Sequence, residues 1–272
     1  MSESRRSFLK NASRTALGIG SGLPLLTAGC GSLEVGAGHR GPKESQLALV
    51  VDVQKCLDPE VRDECINACN RAHSIPTEIP DPDDEVKWIW TEDYEHAFPE
   101  QAHAQSAGRG MPVLVLCNHC THPPCVKVCP TQATWKRESD GIVTMDMHRC
   151  IGCRYCIAAC PYGSRSFNWR DPHDFIKPED KHATYPTRSK GVVEKCNFCL
   201  ERLRAGKDED GKNPEPACVE AVRKMAETKP QASGALIFGT LANPEVRKAL
   251  DGNHTICRRP GLGTEPNVFY VV

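Results

Sequence analysis

Apolar residues crowd one short run early in the chain, Gln46–Val53, where Leu47, Leu49, Val50, Val51 and Val53 dominate. A brief run of this kind between polar stretches reads as a buried strand. Met111–Leu116 repeats the pattern and Ala235–Phe238 makes a third apolar strand. Ala133–Lys136 and Gly141–Met145 flank a turn at Asp140-Gly141, which is a β-hairpin signal. Asn243-Pro244 opens a short helix to Leu250, with Asn243 as the cap and Pro244 in first position. The ending, Pro260 to Val272, reads as a turn and a last strand.

Two polar segments interrupt this series. Ile75–Gln105 is acidic, with Trp88, Trp90 and Tyr94 interleaved. It reads as an ordered surface excursion with a few packed aromatics, or as a docking surface for a partner. Phe167–Arg188 is polar and broken by prolines, hence loop. With 21 glycines and 21 prolines, the expectation is a loop-rich α+β fold of short elements.

At 272 residues the chain holds one or two domains. Its formal net charge of -1 gives no pointer to nucleic acid or an anionic surface. Sixteen cysteines against few aromatics predict that no large apolar core forms, and that bound groups and their ligands replace part of it.

The N-terminus reads as an address. Ser4-Arg5-Arg6-Ser7-Phe8-Leu9-Lys10 matches the twin-arginine export pattern, and Thr15–Ala28 is a weakly apolar segment too short to span a bilayer comfortably. Such a signal suits a protein that takes up its cofactors in the cytoplasm and crosses the membrane folded. Leu26-Thr27-Ala28-Gly29-Cys30 resembles a lipoprotein cleavage box with Cys30 as the lipid-bearing residue, while Val35-Gly36-Ala37 would serve as an ordinary cleavage site. Both readings stay open. No other apolar run reaches membrane length, so the mature body is expected to be water-soluble.

Eight cysteines form two central tetrads, each closed by Cys-Pro. Cys150, Cys153, Cys156 and Cys160 have the spacing C-x2-C-x2-C-x3-C-P, the bacterial ferredoxin run. Cys117, Cys120, Cys125 and Cys129 follow the same plan with a longer middle gap that holds His122 and two prolines. A tight loop wraps three corners of a cubane, and the fourth cysteine, starting a helix that leads away, reaches the neighbouring one. The pairing expected is Cys117, Cys120 and Cys125 with Cys160, and Cys150, Cys153 and Cys156 with Cys129. Zinc needs only two Cys-x2-Cys pairs, and disulfide scaffolds are usually small, so both fit less well.

The outer groups are damaged. The first reads Cys56, eight residues, Cys65, three residues, Cys69. The last has Cys196, Cys199 and Cys218, but Val222 stands where a fourth ligand is due, and Lys229-Pro230 is no substitute. Two interleaved ferredoxin-like halves account for this. Cys196, Cys199, Cys218 and Cys69 complete one outer cluster, whereas Cys56 and Cys65 alone cannot hold another. The expectation is three 4Fe–4S clusters with the fourth site lost. Cys56, Cys65 and Cys257 are left over as buried thiols, as a Cys56–Cys65 disulfide, or, for Cys257, as part of an unusual cluster site. Lys127, Arg154, Arg165 and Lys195 adjoin ligands and would favour the reduced form, or are ordinary solvent-facing charges. His119, His122 and His148 read as supporting or surface residues rather than ligands. No nucleophile–base–orienter set and no Gly-rich phosphate loop appears, so no catalytic residue is expected.

The motifs KCNFC…PACVEA, ALIFGTLANPEVRKAL and RRPGLGTEPNVFYVV resemble the four-cluster ferredoxin-like subunits of molybdoenzyme and quinone-oxidoreductase complexes, across essentially the whole mature chain. The twin-arginine signal, CINACNRAHSIP and YGSRSFNWRDPHDFI are most similar to the DsrO type, periplasmic iron–sulfur subunits of the sulfite-reduction-associated DsrMKJOP membrane complexes. The resemblance implies electron transfer between a quinone-reactive, NrfD-like integral membrane subunit and other redox subunits, a multihaem cytochrome c among them. It also admits the electron-input subunit of an exported molybdopterin-dependent reductase. The segments expected are a signal and linker over 1–37, the first outer group over 46–110, the central double-cluster region over 111–190, and the second outer group over 191–272, packing against 46–110.

Overall fold

The computed structural model describes residues 44–101, 110–176, 188–205 and 214–272. The twin-arginine segment, Cys30, Val35–Ala37 and Asp208–Asp210 lie outside the described residues, as do parts of the Ile75–Gln105 and Phe167–Arg188 segments.

The fold is mixed α+β with small sheets. The largest joins the two ends of the described chain: β1 (Leu47–Asp52), β8 (Leu236–Thr240), β9 (Thr255–Ile256) and β10 (Val268–Val271), in the order β8-β1-β10-β9. β1 lies parallel to β10, with Leu49 opposite Val268, and antiparallel to β8, with Leu49 opposite Phe238. As an inner strand it is covered on both faces. Leu49 and Val51 enter the main core, while Ala48 and Val50 meet Val246 and Ala249 of α7 (Pro244–Asp251). That is why its sequence reads as a nearly unbroken apolar run rather than an alternation. α7 starts as its Asn-Pro predicts: the Glu245 and Val246 N–H groups donate to Asn243 Oδ1 at 2.8 and 3.3 Å.

α1 (Pro59–His73) occupies the long gap of the first cysteine group. Asp58 caps it by accepting from the Glu60 N–H, and Pro59 stands in the first turn. Its buried residues are Val61, Cys65, Ala68, Cys69 and His73, an i, i+4, i+7, i+8, i+12 stripe on one face. That stripe packs on α6 (Ala217–Met225), which offers Ala217, Cys218, Val219 and Val222 in return.

β2 (Ile89–Asp93) pairs antiparallel with β3 (Pro112–Leu116), and a one-turn helix, α2 (Tyr94–Ala97), follows it. The few packed aromatics expected in this segment are present, and they reach deeper than a surface excursion implies. Trp88, Tyr94 and Phe98 are among the largest fully buried side chains, and the Phe98 ring stands edge-on to Tyr270 at 4.9 Å. The acidic character misleads because Glu92, Asp93 and Glu95 take the less buried positions around a buried Ile89 and Tyr94. The expectation of no large apolar core fails. One continuous core runs from Leu49 through Trp88, Leu114 and Ile142 to Tyr270, and Cys56, Cys65, Cys69, Cys117, Cys196 and Cys218 are built into it.

The hairpin forms as expected from β4 (Thr134–Lys136) and β5 (Val143–Met145), with Gly141 at φ +72° in its turn. A Cβ there would run into the Gln46 side chain. β6 (Ser166–Phe167) and β7 (Val193–Glu194) form the remaining pair, and α5 (Leu200–Ala205) follows β7.

Candidate metal centre

Three Cys-x2-Cys loops share one backbone device. Their third residues, His119, Gly152 and Phe198, all have left-handed backbone, at φ +42°, +70° and +54°. A left-handed residue between two thiols tightens the turn so that both face inward. Gly152 needs its missing side chain as well, since a Cβ would lie 2.4 Å from the Gly191 carbonyl oxygen. At the other two positions a side chain accepts the strained conformation, worth about 1 kcal/mol or more each. Those two stack on each other: the His119 and Phe198 rings lie 3.7 Å apart and 21° from parallel.

The C-terminal segment braces the first of these loops. Thr121 and His122 N–H groups donate to Glu265 and Thr264 carbonyls at 2.8 and 3.0 Å, and Asn267 Nδ2 donates to the His119 carbonyl at 2.8 Å. The conspicuous ending thus belongs to the site.

Cys160 ends a short helix, α4 (Tyr155–Ala159), rather than starting one. The same holds for Cys129, which follows α3 (Pro124–Lys127). Pro161 is the reason: the residue before a proline is pushed to extended backbone, and Cys160 sits at φ -81°, ψ 111°.

The cysteines gather in groups drawn from distant parts of the chain. Burial and then Cys117 push the Cys120 thiol up to about 12, with Cys125 and Cys160 adding to it. Cys160 is raised by burial and by Cys117 and Cys125. A second group joins Cys69 of α1 to Cys196, Cys199 and Cys218. Burial and those three neighbours hold Cys69 well above the ordinary thiol range. In the third, Cys156 is raised by burial, opposed by Arg165, and feels Cys125 and Cys150. Cys153 alone among the described cysteines is exposed, and Cys150 and Cys129 are half-buried. Cys129 differs in sign. Backbone N–H groups of Thr134, Ala133 and Thr131 and the Thr131 hydroxyl outweigh its burial and lower its pKa.

Neighbouring groups also act on one another electrostatically. Cys125 acts on Cys156, and Cys117 acts on Cys196. Beyond Cys218 come Cys65 and then Cys56, which acts in turn on Tyr270 beside Cys257. Here the surroundings are apolar. Val222 is packed in the core, and Cys56 and Cys65 are fully buried with raised pKa values. Lys229 lies outside, paired with Glu60.

The residues fit iron–sulfur chemistry. Crowded in a dry core without a cation, such thiols stay protonated, because their thiolates would repel one another; soft thiolate sets of this kind suit iron–sulfur clusters. Buried polar atoms also await a counterpart in the first loop, where both side-chain ends of Asn118 and the Nε2 of His119 have no hydrogen-bond partner. His119 Nδ1 accepts from the Val143 N–H at 3.1 Å, and burial, with Lys195 and Arg165 nearby, keeps the ring neutral.

The four candidate cations divide. Lys127 and Arg154 are exposed, Arg154 lying over the Trp169 ring at 4.7 Å. Arg165 and Lys195 are buried. Arg165 donates to Thr134 Oγ1 at 2.9 Å and lies against Cys125 and Cys156; Lys195 donates to the Val143 and Cys196 carbonyls. His122 approaches Glu265 at 3.4 Å, and His148 is exposed. His73 was not singled out from the sequence. Its Nε2 lies 3.1 Å from Cys199 Sγ, and the signal for it was the Cys69-x3-His73 spacing on one helix face.

Residues 113–174 match the model of the 4Fe-4S dicluster domain. The chain is 39% identical to the Hdr-like menaquinol oxidoreductase iron-sulfur subunit 1 of Archaeoglobus fulgidus, over 84% of each chain. It is 36% identical to the menaquinone reductase iron-sulfur cluster-binding subunit of Nitratidesulfovibrio vulgaris, over 82% of this chain and 87% of that one. To the arsenate respiratory reductase iron-sulfur subunit ArrB of a Shewanella species it is 30% identical, over 83% of this chain and 96% of the relative. The chain therefore belongs to the family of iron–sulfur, electron-transfer subunits of oxidoreductase complexes.

Proposed function

We propose that this member of the family carries three 4Fe–4S clusters in a row and passes electrons along them within a periplasmic, membrane-associated complex of sulfur metabolism. The ligand sets are Cys117, Cys120, Cys125 and Cys160; Cys150, Cys153, Cys156 and Cys129; and Cys196, Cys199, Cys218 and Cys69. When bound, each cluster takes up and releases one electron. The observation that carries this reading is Cys69. It lies on α1, yet its thiol is raised by burial and by Cys196, Cys199 and Cys218 from the far end of the chain, which supports the fourth ligand that the interleaved pairing expects.

Two interleaved ferredoxin-like halves are supported by the shared left-handed position of the loops and by the stacking of His119 on Phe198. The core excludes water from the middle of the row, while Arg165 and Lys195 supply buried positive charge beside it. Exchange with a partner takes place at the Cys153 end, where Ile151 and Tyr155 are 67% and 63% exposed. Two thiols remain at the fourth position, with Val222 in place of a ligand, so a fourth cubane is not held.

The similarity to menaquinol and menaquinone enzymes supports a quinone-reactive partner, here an NrfD-like integral membrane subunit. The DsrO-like details of the sequence add a multihaem cytochrome c on the other side. Among the described residues no helix is long and apolar enough to cross a membrane. Export by the twin-arginine route, with attachment through partners or a lipidated Cys30, completes the reading. A second reading, the electron-input subunit of an exported molybdopterin-dependent reductase, is favoured by the likeness to the iron–sulfur subunit of a respiratory reductase.

Anaerobic purification from membranes tests both. About twelve iron atoms per chain, with a haem protein and an integral membrane subunit co-purifying, is the expected result. Iron near sixteen overturns the three-cluster count, and a co-purifying molybdopterin-binding subunit transfers the case to the second reading.

A further inference from the structure

α1 ends on His73, one turn beyond Cys69. The His73 ring meets the sulfur of Cys199, with Nε2 3.1 Å from Sγ, and both residues are buried. A cysteine that ligates iron has lost its proton, so its sulfur only accepts; the contact is then an Nε2–H donated to Sγ.

We propose that His73 is a positioning and tuning residue: through this hydrogen bond it sets the reduction potential of the centre held by Cys69, Cys196, Cys199 and Cys218. The inference rests on the ligand assignment above. Donors to ligand sulfur draw off electron density and offset the negative charge added on reduction, so they raise the potential. Cys199 has a second donor on the same sulfur, the Ala217 N–H at the start of α6, at 3.3 Å. Two donors converge on one ligand of one centre.

The surroundings hold the ring in that place. His73 stacks on Trp88, with centroids 4.2 Å apart and planes 30° from parallel. The Trp88 Nε1–H donates to Glu194 Oε2 at 2.8 Å, and Asn168 Nδ2 donates to Glu194 Oε1 at 2.5 Å. Arg188 Nε lies 2.6 Å from the same carboxylate, in an ion pair whose side chains are 2% and 0% exposed. The Arg188 guanidinium also donates to the His73 and Ser74 carbonyls at 2.5 and 3.0 Å, fixing the end of α1. Backbone and ring are thus located by one buried ion pair, which a histidine serving only to fill space would not need.

The test is an anaerobic redox titration of the full chain, or of its complex, followed by electron paramagnetic resonance. Cys69→Ser first identifies the signal of this centre by removing it. His73→Phe keeps a ring on Trp88 but has no N–H; that one signal is expected to shift to lower potential by about tenfold in electron affinity, about 59 mV for one electron. The other signals and the iron content stay unchanged, and His73→Gln, which retains a donor, recovers part of the shift. A loaded His73→Phe protein whose signal keeps the wild-type potential overturns the proposal, as does an equal shift of every signal. Should His73→Phe lose the centre, wild-type protein labelled with 15N-histidine decides. A nitrogen coupling on the signal that Cys69→Ser removes is expected, and its absence overturns the proposal. If Cys69→Ser removes no iron and no signal, the ligand assignment itself has failed, an outcome separate from any result at His73.

Discussion

Glu194→Gln is the most informative single change to stability. The carboxylate is fully buried and takes hydrogen bonds from Trp88 and Asn168 besides its ion pair with Arg188. Glutamine keeps the shape and removes the charge. Arg188 is then left buried without a counter-charge, which costs about 3–5 kcal/mol. Three donors also converge on a group that now has one acceptor oxygen and donors of its own, so at least one buried N–H goes unpaired, at about 1–3 kcal/mol. Against a usual total of roughly 5–15 kcal/mol, the loss is severe. At about 2–4 °C per kcal/mol for a chain of this size, the charge loss alone predicts a fall of roughly 6–20 °C. Cluster loss makes unfolding irreversible, so the assay is the apparent melting temperature at fixed scan rate, with bleaching of the visible absorption as a second probe. The double variant Arg188→Met, Glu194→Leu removes both charges together and is expected to be milder than the sum of the two single changes. A Glu194→Gln shift under about 2 °C, or a double variant equal to that sum, refutes the reasoning.

Arg165 is buried against Cys125 of one central set and Cys156 of the other. Arg165→Met is expected to lower the potentials of both central clusters, by on the order of 2 kcal/mol each for a lost partly screened charge, and to leave the outer one nearly unmoved; a redox titration in which only the outer signal shifts contradicts this. Burial pushes the Cys56 thiol up to about 12, from an ordinary value of 9.0. Between those two values the folded chain keeps a proton that the unfolded chain has lost, so stability falls as pH rises, by about 1.4 kcal/mol per unit, while below pH 8 the thiol has no effect. Apparent melting temperatures at fixed scan rate that stay flat from pH 8 to 10 refute it. Asn243→Ala removes the cap of α7 and is expected to cost about 1 kcal/mol, read as a lowered apparent melting temperature in the same scans.

The fold was legible where a segment's pattern depends on itself. β1, β3, β8, the β4–β5 hairpin, the capped α7 and the closing strand each announce themselves through apolar runs, an Asp-Gly turn or an Asn-Pro start. α1 and β2 did not, for physical reasons. α1 has its apolar stripe diluted by charges on the outer face and built partly from cysteines, which draw attention as ligands before they are counted as core. β2 places its acids at the less buried positions, and its burial comes from pairing with β3, a partner that no local pattern specifies.

The site divides the same way, and the division explains what a spacing rule can reach. Each Cys-x2-Cys loop is a local object: two thiols with a left-handed residue between them, joined in the two central groups by a short helix cut off by proline. Its neighbours in sequence fix it, so the sequence shows it. Which fourth thiol completes the set depends on tertiary packing, and sequence reaches that question only through the pairing rule of interleaved loops, itself a packing rule. Arg165, Lys195 and His73 obey no such rule. Two identical-looking basic residues beside ligands, Arg154 and Arg165, end on opposite sides of the protein boundary, one over an exposed Trp169 and one between two cysteine groups. What separates them is β4, whose Thr134 hydroxyl gives the Arg165 guanidinium a partner and so makes its burial tolerable. Residues that carry thiolate are marked by spacing. Residues that would tune a cluster's hold on an electron are marked only by what surrounds them, and in this chain that means an ion pair, an indole and a helix end contributed by three separate segments.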